Sequence, residues 1–351
     1  MSRPGYGLWH RASHGRVIAR ESNHERTGGS KRGGGSGDNE GVIFAHGGVP
    51  PDPSFPDFLA RWNLDPLALI PVGVVAGLYL RGVAIVGRRH PATRIATKRT
   101  ACFLAGLAVV VVALCSPVEV YDTALLSVHM VQHLLLTVVA APLLLLGGPF
   151  TVAVRATGPR SRAAIQTLLG SRGIHSLTHP LITWTVFATV MWGTHFTGFY
   201  DAALESEWAH RGEHALFIGA ALLFWLPLFG VDPARRRMAF PVRCIYLFMA
   251  MPQNTFLALS IFGAKTVLYD HYATLTDPWL PNALSDQKLA GGIMWVVGDV
   301  MVLIALVALM MMWARHEDRM TVLLDARLDA EERTQATTRL STAMETNSSP
   351  R

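Results

Sequence analysis

Seven long apolar runs, at about 67–86, 101–118, 129–148, 180–197, 210–230, 242–263 and 290–313, constrain this chain more than any other feature. Crossing about 30 Å of hydrocarbon as a helix takes roughly 17–25 such residues. Spanning strands would alternate apolar and polar residues, and these runs do not. Backbone polar groups in hydrocarbon must be satisfied within their own segment. The expected fold is therefore all-α: a polytopic transmembrane helical bundle of about seven spans in a lipid bilayer. With 50% of the residues hydrophobic and only 16% charged, the composition is that of a membrane protein, not a soluble enzyme. Pro142, Pro227 and Pro252 fall inside runs and predict local kinks. Gly147-Gly148-Pro149 reads as a helix stop, and Gly291-Gly292 as a place where helices pack closely.

The flanks are different in kind. Residues 1–61 are rich in Gly, Arg and Ser, without the apolar h-region of a signal peptide, and read as a disordered basic tail. Residues 62–315 form the membrane domain. Residues 316–351 form a polar C-terminal tail whose stretch Glu317 to Arg339 reads as a surface helix. Orientation follows from Lys and Arg in the short loops. Arg88, Arg89, Arg94, Lys98 and Arg99 fill the first loop, and Arg155, Arg160, Arg162 and Arg172 the third. Arg235, Arg236 and Arg237 fill the fifth, and Arg315 and Arg319 open the C-terminal tail. The second and fourth loops have none. This alternation places the C-terminus in the cytoplasm and the N-terminus outside. The net charge of +6 does not indicate nucleic-acid binding, because no basic, aromatic-studded surface segment accompanies it. Cys102, Cys115 and Cys244 form no C-x-x-C pair, so neither a structural disulfide nor a zinc finger is expected.

Histidine is distributed in a way that hydropathy and loop charge do not require. In this topology His129 and His133 lie at the outer end of the third span, His195 at the outer end of the fourth, and His210 and His214 in the outer turns of the fifth. His271 falls in the sixth, outer loop. Residues four apart share a helix face, so each pair can offer two nitrogens to one ion. Ionisable groups inside spans are costly and mark functional sites by default. The five rings His129, His133, His195, His210 and His214 are candidate metal ligands, with His271 weaker. Imidazole suits copper, zinc, iron and nickel, and thioether or thiolate suits copper(I). Met130, Met294 and Cys115 fall in the same outer halves and shift the preference toward copper. Asp201, Glu213 and Asp286 are outer carboxylates able to receive ring N–H groups.

The stretch His129-Met-Val-Gln-His133-Leu-Leu-Leu, with Ala141-Pro142-Leu and Gly147-Gly148-Pro149, resembles the signature of the CtaG family of cytochrome c oxidase assembly factors. Further matches are Trp192-Gly-Thr-His195 with Phe199-Tyr200-Asp201, His210-x-x-Glu213-His214, and Phe224-Trp225-x-Pro227. Tyr269-x-x-Tyr272 and Asp286-Gln287-x-x-x-Gly291-Gly292-x-Met294-Trp295 complete them, and the likeness covers about residues 62–315. One departure is Thr197, where the pattern leads one to expect a proline. The resemblance implies a non-enzymatic, multi-pass protein of the bacterial plasma membrane. It would bind copper at the outer face and deliver it to a haem–copper oxidase subunit. Two other readings are a haem-binding membrane redox protein and a copper transporter or resistance protein. No Ser-His-Asp order, phosphate loop or group of catalytic carboxylates points to an enzyme.

Overall fold

A computed structural model of the chain describes residues 49–54, 56–229 and 238–347. Most of the expected N-terminal tail, the arginines of the fifth loop and the last four residues lie outside them. The described residues are helical, with no strand among them. Eight helices organise the structure: α1 (Pro66–Arg89), α2 (Thr97–Cys115), α3 (Leu126–Leu134), α4 (Pro180–His195), α5 (Glu207–Phe229), α6 (Phe240–Phe248), α7 (Ala250–Phe262) and α8 (Ala283–Asn347). Six stretches are long and apolar enough to cross a membrane: Pro66–Arg89, Thr97–Tyr121, Leu126–Ala156, Glu207–Phe229, Phe240–Phe262 and Ala283–Gln335. The run at 180–197 forms only the 16-residue α4, about 24 Å long at 1.5 Å per residue.

Local sequence sets the helix starts. Proline, whose missing N–H is harmless in the first turn, opens α1 and α4. The Asp65 carboxylate caps α1 by accepting from Leu67 N at 2.9 Å. Gly148 has φ 64°, a left-handed conformation that ends Ala141–Leu146 before Pro149 starts a new helix. The tail expected as a separate surface helix is instead continuous with the last span, since α8 runs unbroken for 65 residues.

Two of the three prolines expected to kink their spans sit at irregularities. Upstream of Pro142, α3 passes into a π-helical stretch, Leu135–Ala140, before α-geometry resumes at Ala141–Leu146. The indole N–H of Trp225 on α5 donates to the Thr137 carbonyl at 2.9 Å, satisfying an acceptor within this stretch. Near Pro252, the chain breaks at Met249 between α6 and α7. Pro227 is accommodated within α5, two residues before its end.

Helix backbones approach closely at Gly291 of α8, where a Cβ would lie 2.8 Å from Phe262 N and 3.0 Å from the Ala258 carbonyl on α7. Apolar packing forms three clusters. The one that concerns function holds Met130, Met191, Tyr200, Phe217, Leu257, Ile261, Tyr269, Tyr272 and Met294. On α1, Leu67, Ile70, Val74 and Leu78 stand exposed at spacings of three and four residues, an apolar stripe suited to lipid contact.

Candidate metal centre

Three helices bring the histidines to one end of the bundle. His129 and His133, one turn apart on α3, have Nε2 atoms 2.8 Å from each other. His210 and His214 repeat this on α5, with Nε2 atoms 3.0 Å apart. The pairs face one another: ring centroids are 5.5 Å apart for His129 and His210, and 6.3 Å for His133 and His214. His195, the last residue of α4, completes the group 6.2 Å from His133. All five rings are buried. His195 Nδ1 donates to the Met191 carbonyl at 2.7 Å, which leaves Nε2 as an unprotonated nitrogen with no hydrogen-bond partner.

Carboxylates enter between the rings. Glu213, beside His214 on α5, places Oε2 3.7 Å from His129 Nε2 and Oε1 3.7 Å from His133 Nε2. Neither oxygen has a hydrogen bond among the described residues. Asp122, in the turn between α2 and α3, has Oδ2 3.0 Å from His210 Nε2. Gln132 ties the set together. Its amide nitrogen donates to Glu119 Oε2 at 2.5 Å and to the Ala113 carbonyl at 2.9 Å, while its Oε1 lies 3.0 Å from His214 Nε2.

The donor set fits a metal ion. Two nitrogens at roughly 2.0–2.1 Å from one tetrahedral ion lie about 3.3 Å apart, so each histidine pair need open by only a few tenths of an ångström. A buried, unpartnered carboxylate such as Glu213 is costly without a cation or proton. Imidazole with carboxylate is a donor mixture that copper and zinc both accept.

Other sequence-derived candidates occupy different positions. His271 Nε2 donates to the Thr123 carbonyl at 2.8 Å, so it secures the turn after Asp122 and stands outside the ring group. Asp286 was expected to receive an imidazole N–H. It instead accepts from Ser127 N at 3.2 Å and Ser127 Oγ at 2.5 Å, capping the first turn of α3. Asp201 faces the His271 backbone N–H, at 3.5 Å. Cys115 is buried at the end of α2 and belongs to neither group of converging donor atoms; the three cysteines are free. Met130 and Met294, with Met191, line a cavity shared with His133 and His195 that also reaches Gln253 and Asn254.

Glu119, Asp122 and Gln132 were not anticipated. The available signal was the run Glu119-Val-Tyr-Asp122 in a loop free of Lys and Arg, and the amide inside the His129–His133 motif. Tyrosines close the centre. Tyr272 donates to the Asp122 carbonyl at 2.7 Å, and Tyr200 packs on Tyr269 with the rings tilted and their centroids 4.4 Å apart. Burial, reinforced at Tyr272 by the charges of Asp122 and Glu213, raises the Tyr200 and Tyr272 phenols well above their ordinary range and keeps them protonated.

The turn after His195 shows how the chain manages without the expected proline. Thr197 Oγ1 donates to the Gly193 carbonyl at 2.7 Å and accepts from Phe199 N at 3.3 Å. One hydroxyl thus closes α4 and starts the helix Phe199–Glu205, which carries Tyr200.

The chain is 32% identical over 298 residues to an uncharacterized protein of Mycobacterium bovis, and equally to one of Mycobacterium tuberculosis. It is 29% identical over 301 residues to one of Mycobacterium leprae. In each case 82% of this chain aligns with 45% of the relative, so the chain spans about half the length of the curated relatives it matches. No solved structure matches. Residues 77–316 match the profile of the cytochrome c oxidase caa3 assembly factors, and the chain belongs to that family.

Proposed function

We propose that this chain is a non-enzymatic copper carrier of the bacterial plasma membrane. It takes up copper at the outer face and passes it to a subunit of a haem–copper oxidase during assembly. In this reading α4 is the seventh span, the N-terminus is outside and the C-terminus is cytoplasmic, as the loop charges direct. His129, His133, His210 and His214 supply the nitrogen donors, with His195 beside them. The observation that carries the proposal is the convergence of imidazole pairs from α3 and α5, with Nε2 contacts of 2.8 Å and 3.0 Å, around the unpartnered carboxylate of Glu213. Neutral nitrogen donors let copper leave by ligand exchange more readily than thiolates would.

The test is copper content of protein purified from copper-fed cells, wild type against a His129→Ala/His133→Ala variant. The variant should hold less copper than wild type, and equal content would end the assignment. A Soret band in the visible spectrum would favour the haem reading instead. The cavity running from His133 and His195 to Gln253 and Asn254 gives transport some support. Copper uptake into vesicles holding the purified protein would favour transport, and binding without uptake a carrier.

A further inference from the structure

The donors at this end of the bundle divide into two sets. In one, His129, His133 and Glu213 bring their donor atoms within 4.8 Å of one another. In the other, Glu119, Asp122, His210 and His214 do the same. No residue is shared between them. Building on the copper-carrier reading, we propose that the centre holds two ions at once: one between His129, His133 and Glu213, and a second, divalent ion among Glu119, Asp122, His210 and His214.

Charge is the first argument. Glu213 and Asp122 are buried and Glu119 is only partly exposed, so up to three negative charges sit in a poorly solvated space. Among the described residues no Lys or Arg forms an ion pair with any of them. Arg211, next to His210 in sequence, is engaged by Asp65 and Glu207. Even with Asp122 paired to a protonated His210, a single copper(I) would leave one of the three carboxylates uncompensated, and buried charges without partners are strongly disfavoured. Two cations, at least one divalent, balance the set.

Geometry is the second. His129 already has its partners, His133 Nε2 at 2.8 Å and Glu213 Oε2 at 3.7 Å. His210 has Asp122 Oδ2 at 3.0 Å and His214 Nε2 at 3.0 Å. Each pair therefore faces its own carboxylate, whereas a single site would have both pairs facing a common one.

Donor chemistry is the third. Two imidazoles with two carboxylates suit zinc(II) or copper(II) and are a poor match for copper(I), which prefers softer donors.

Full-length protein in detergent is equilibrated with zinc(II) or copper(II), freed of excess ion and analysed for metal per chain. Wild type should hold two ions. Asp122→Asn/Glu119→Gln should hold one, and His129→Ala/His133→Ala should also hold one. In copper(II)-loaded protein the electron paramagnetic resonance signal should be broadened in wild type and sharp in each variant. A wild-type value of one ion or none overturns the two-ion centre, while the carrier reading stands or falls separately, on the copper content of protein from copper-fed cells. The wild-type measurement decides the matter if a variant fails to fold. Should Asp122→Asn/Glu119→Gln keep two ions, the second site is not built from these carboxylates and the proposal fails.

Discussion

Replacing Gln132 by leucine removes one amide that three groups depend on, at nearly constant volume. The Ala113 carbonyl is the most exposed of the three to loss. In a regular helix it would accept from residue 117, but Pro117 has no N–H, and the Gln132 amide fills the gap at 2.9 Å. Left buried and unpaired, such an acceptor costs about 1–3 kcal/mol. Glu119 keeps some exposure, so losing its amide partner costs less than leaving the buried carbonyl unpaired. A loss of about 2 kcal/mol should lower Tm by roughly 4–8 °C for a domain of this size. The third contact, to His214 Nε2 at 3.0 Å, fixes the orientation of a proposed ligand. Loss of such an outer partner typically weakens metal binding by about 10–100-fold, or about 1.4–2.8 kcal/mol. Thermal unfolding in detergent reads the first effect. Competition with a chromophoric copper(I) chelator reads the second. If Gln132→Leu lowers Tm but leaves the copper Kd within about twofold of wild type, Gln132 is a structural residue only, and the link drawn from it to His214 is wrong.

Gly291→Val should destabilise by about 1–3 kcal/mol, because the atoms that a Cβ would meet are α7 backbone and the helix itself must move. Gly292→Ala, whose nearest neighbour would be 4.0 Å away, should leave Tm unchanged and serves as the control. Copper affinity should fall toward acid pH, because protons compete with the ion for the ring nitrogens and only the neutral ring binds metal. The sign is fixed: Kd measured by the same chelator assay rises as pH is lowered, and a Kd that fell toward acid pH would count against imidazole ligation.

The legible part of this fold was its hydrophobic pattern. Apolar runs identified the helices, and the expected 67–86 corresponds to Pro66–Arg89. What escaped was local geometry. The π-helical stretch at Leu135–Ala140 is apolar except for Thr137, and so nearly apolar a run carries too little phase for a change of helical pitch to be read. Hydropathy separates the last span from the polar stretch that follows it, but cannot show that one helix runs unbroken through both to Asn347. At the centre, spacing and loop charge put the histidines at one end because i, i+4 geometry is local. Asp286 and His271 ended elsewhere because their partners, Ser127 and the Thr123 carbonyl, are distant in sequence. Glu119 and Asp122 were hidden by their setting in a short loop, where a carboxylate usually needs no explanation beyond solvent.

Those distant partners explain why so many polar residues surround a centre they do not touch. Burying five rings and neighbouring carboxylates is unfavourable unless the backbone carrying them is fixed beforehand. The turn holding Asp122 is secured from outside by Tyr272 on the Asp122 carbonyl and His271 on the Thr123 carbonyl. Asp286 of α8 anchors the first turn of α3, immediately before His129. Gln287, its neighbour, accepts from Leu268 N at 2.7 Å and donates to the Ile261 and Thr266 carbonyls at 3.3 Å and 3.2 Å. It thereby pins the segment leading to Tyr269 and Tyr272. Thr197 does the same for the turn between His195 and Tyr200. The residues quoted with the histidines as family-like motifs are thus largely ties between the end of α8, the loops and α3. Their role follows from geometry: they hold the loops in place so that facing helices can present nitrogen and oxygen donors a few ångströms apart in a space with little water.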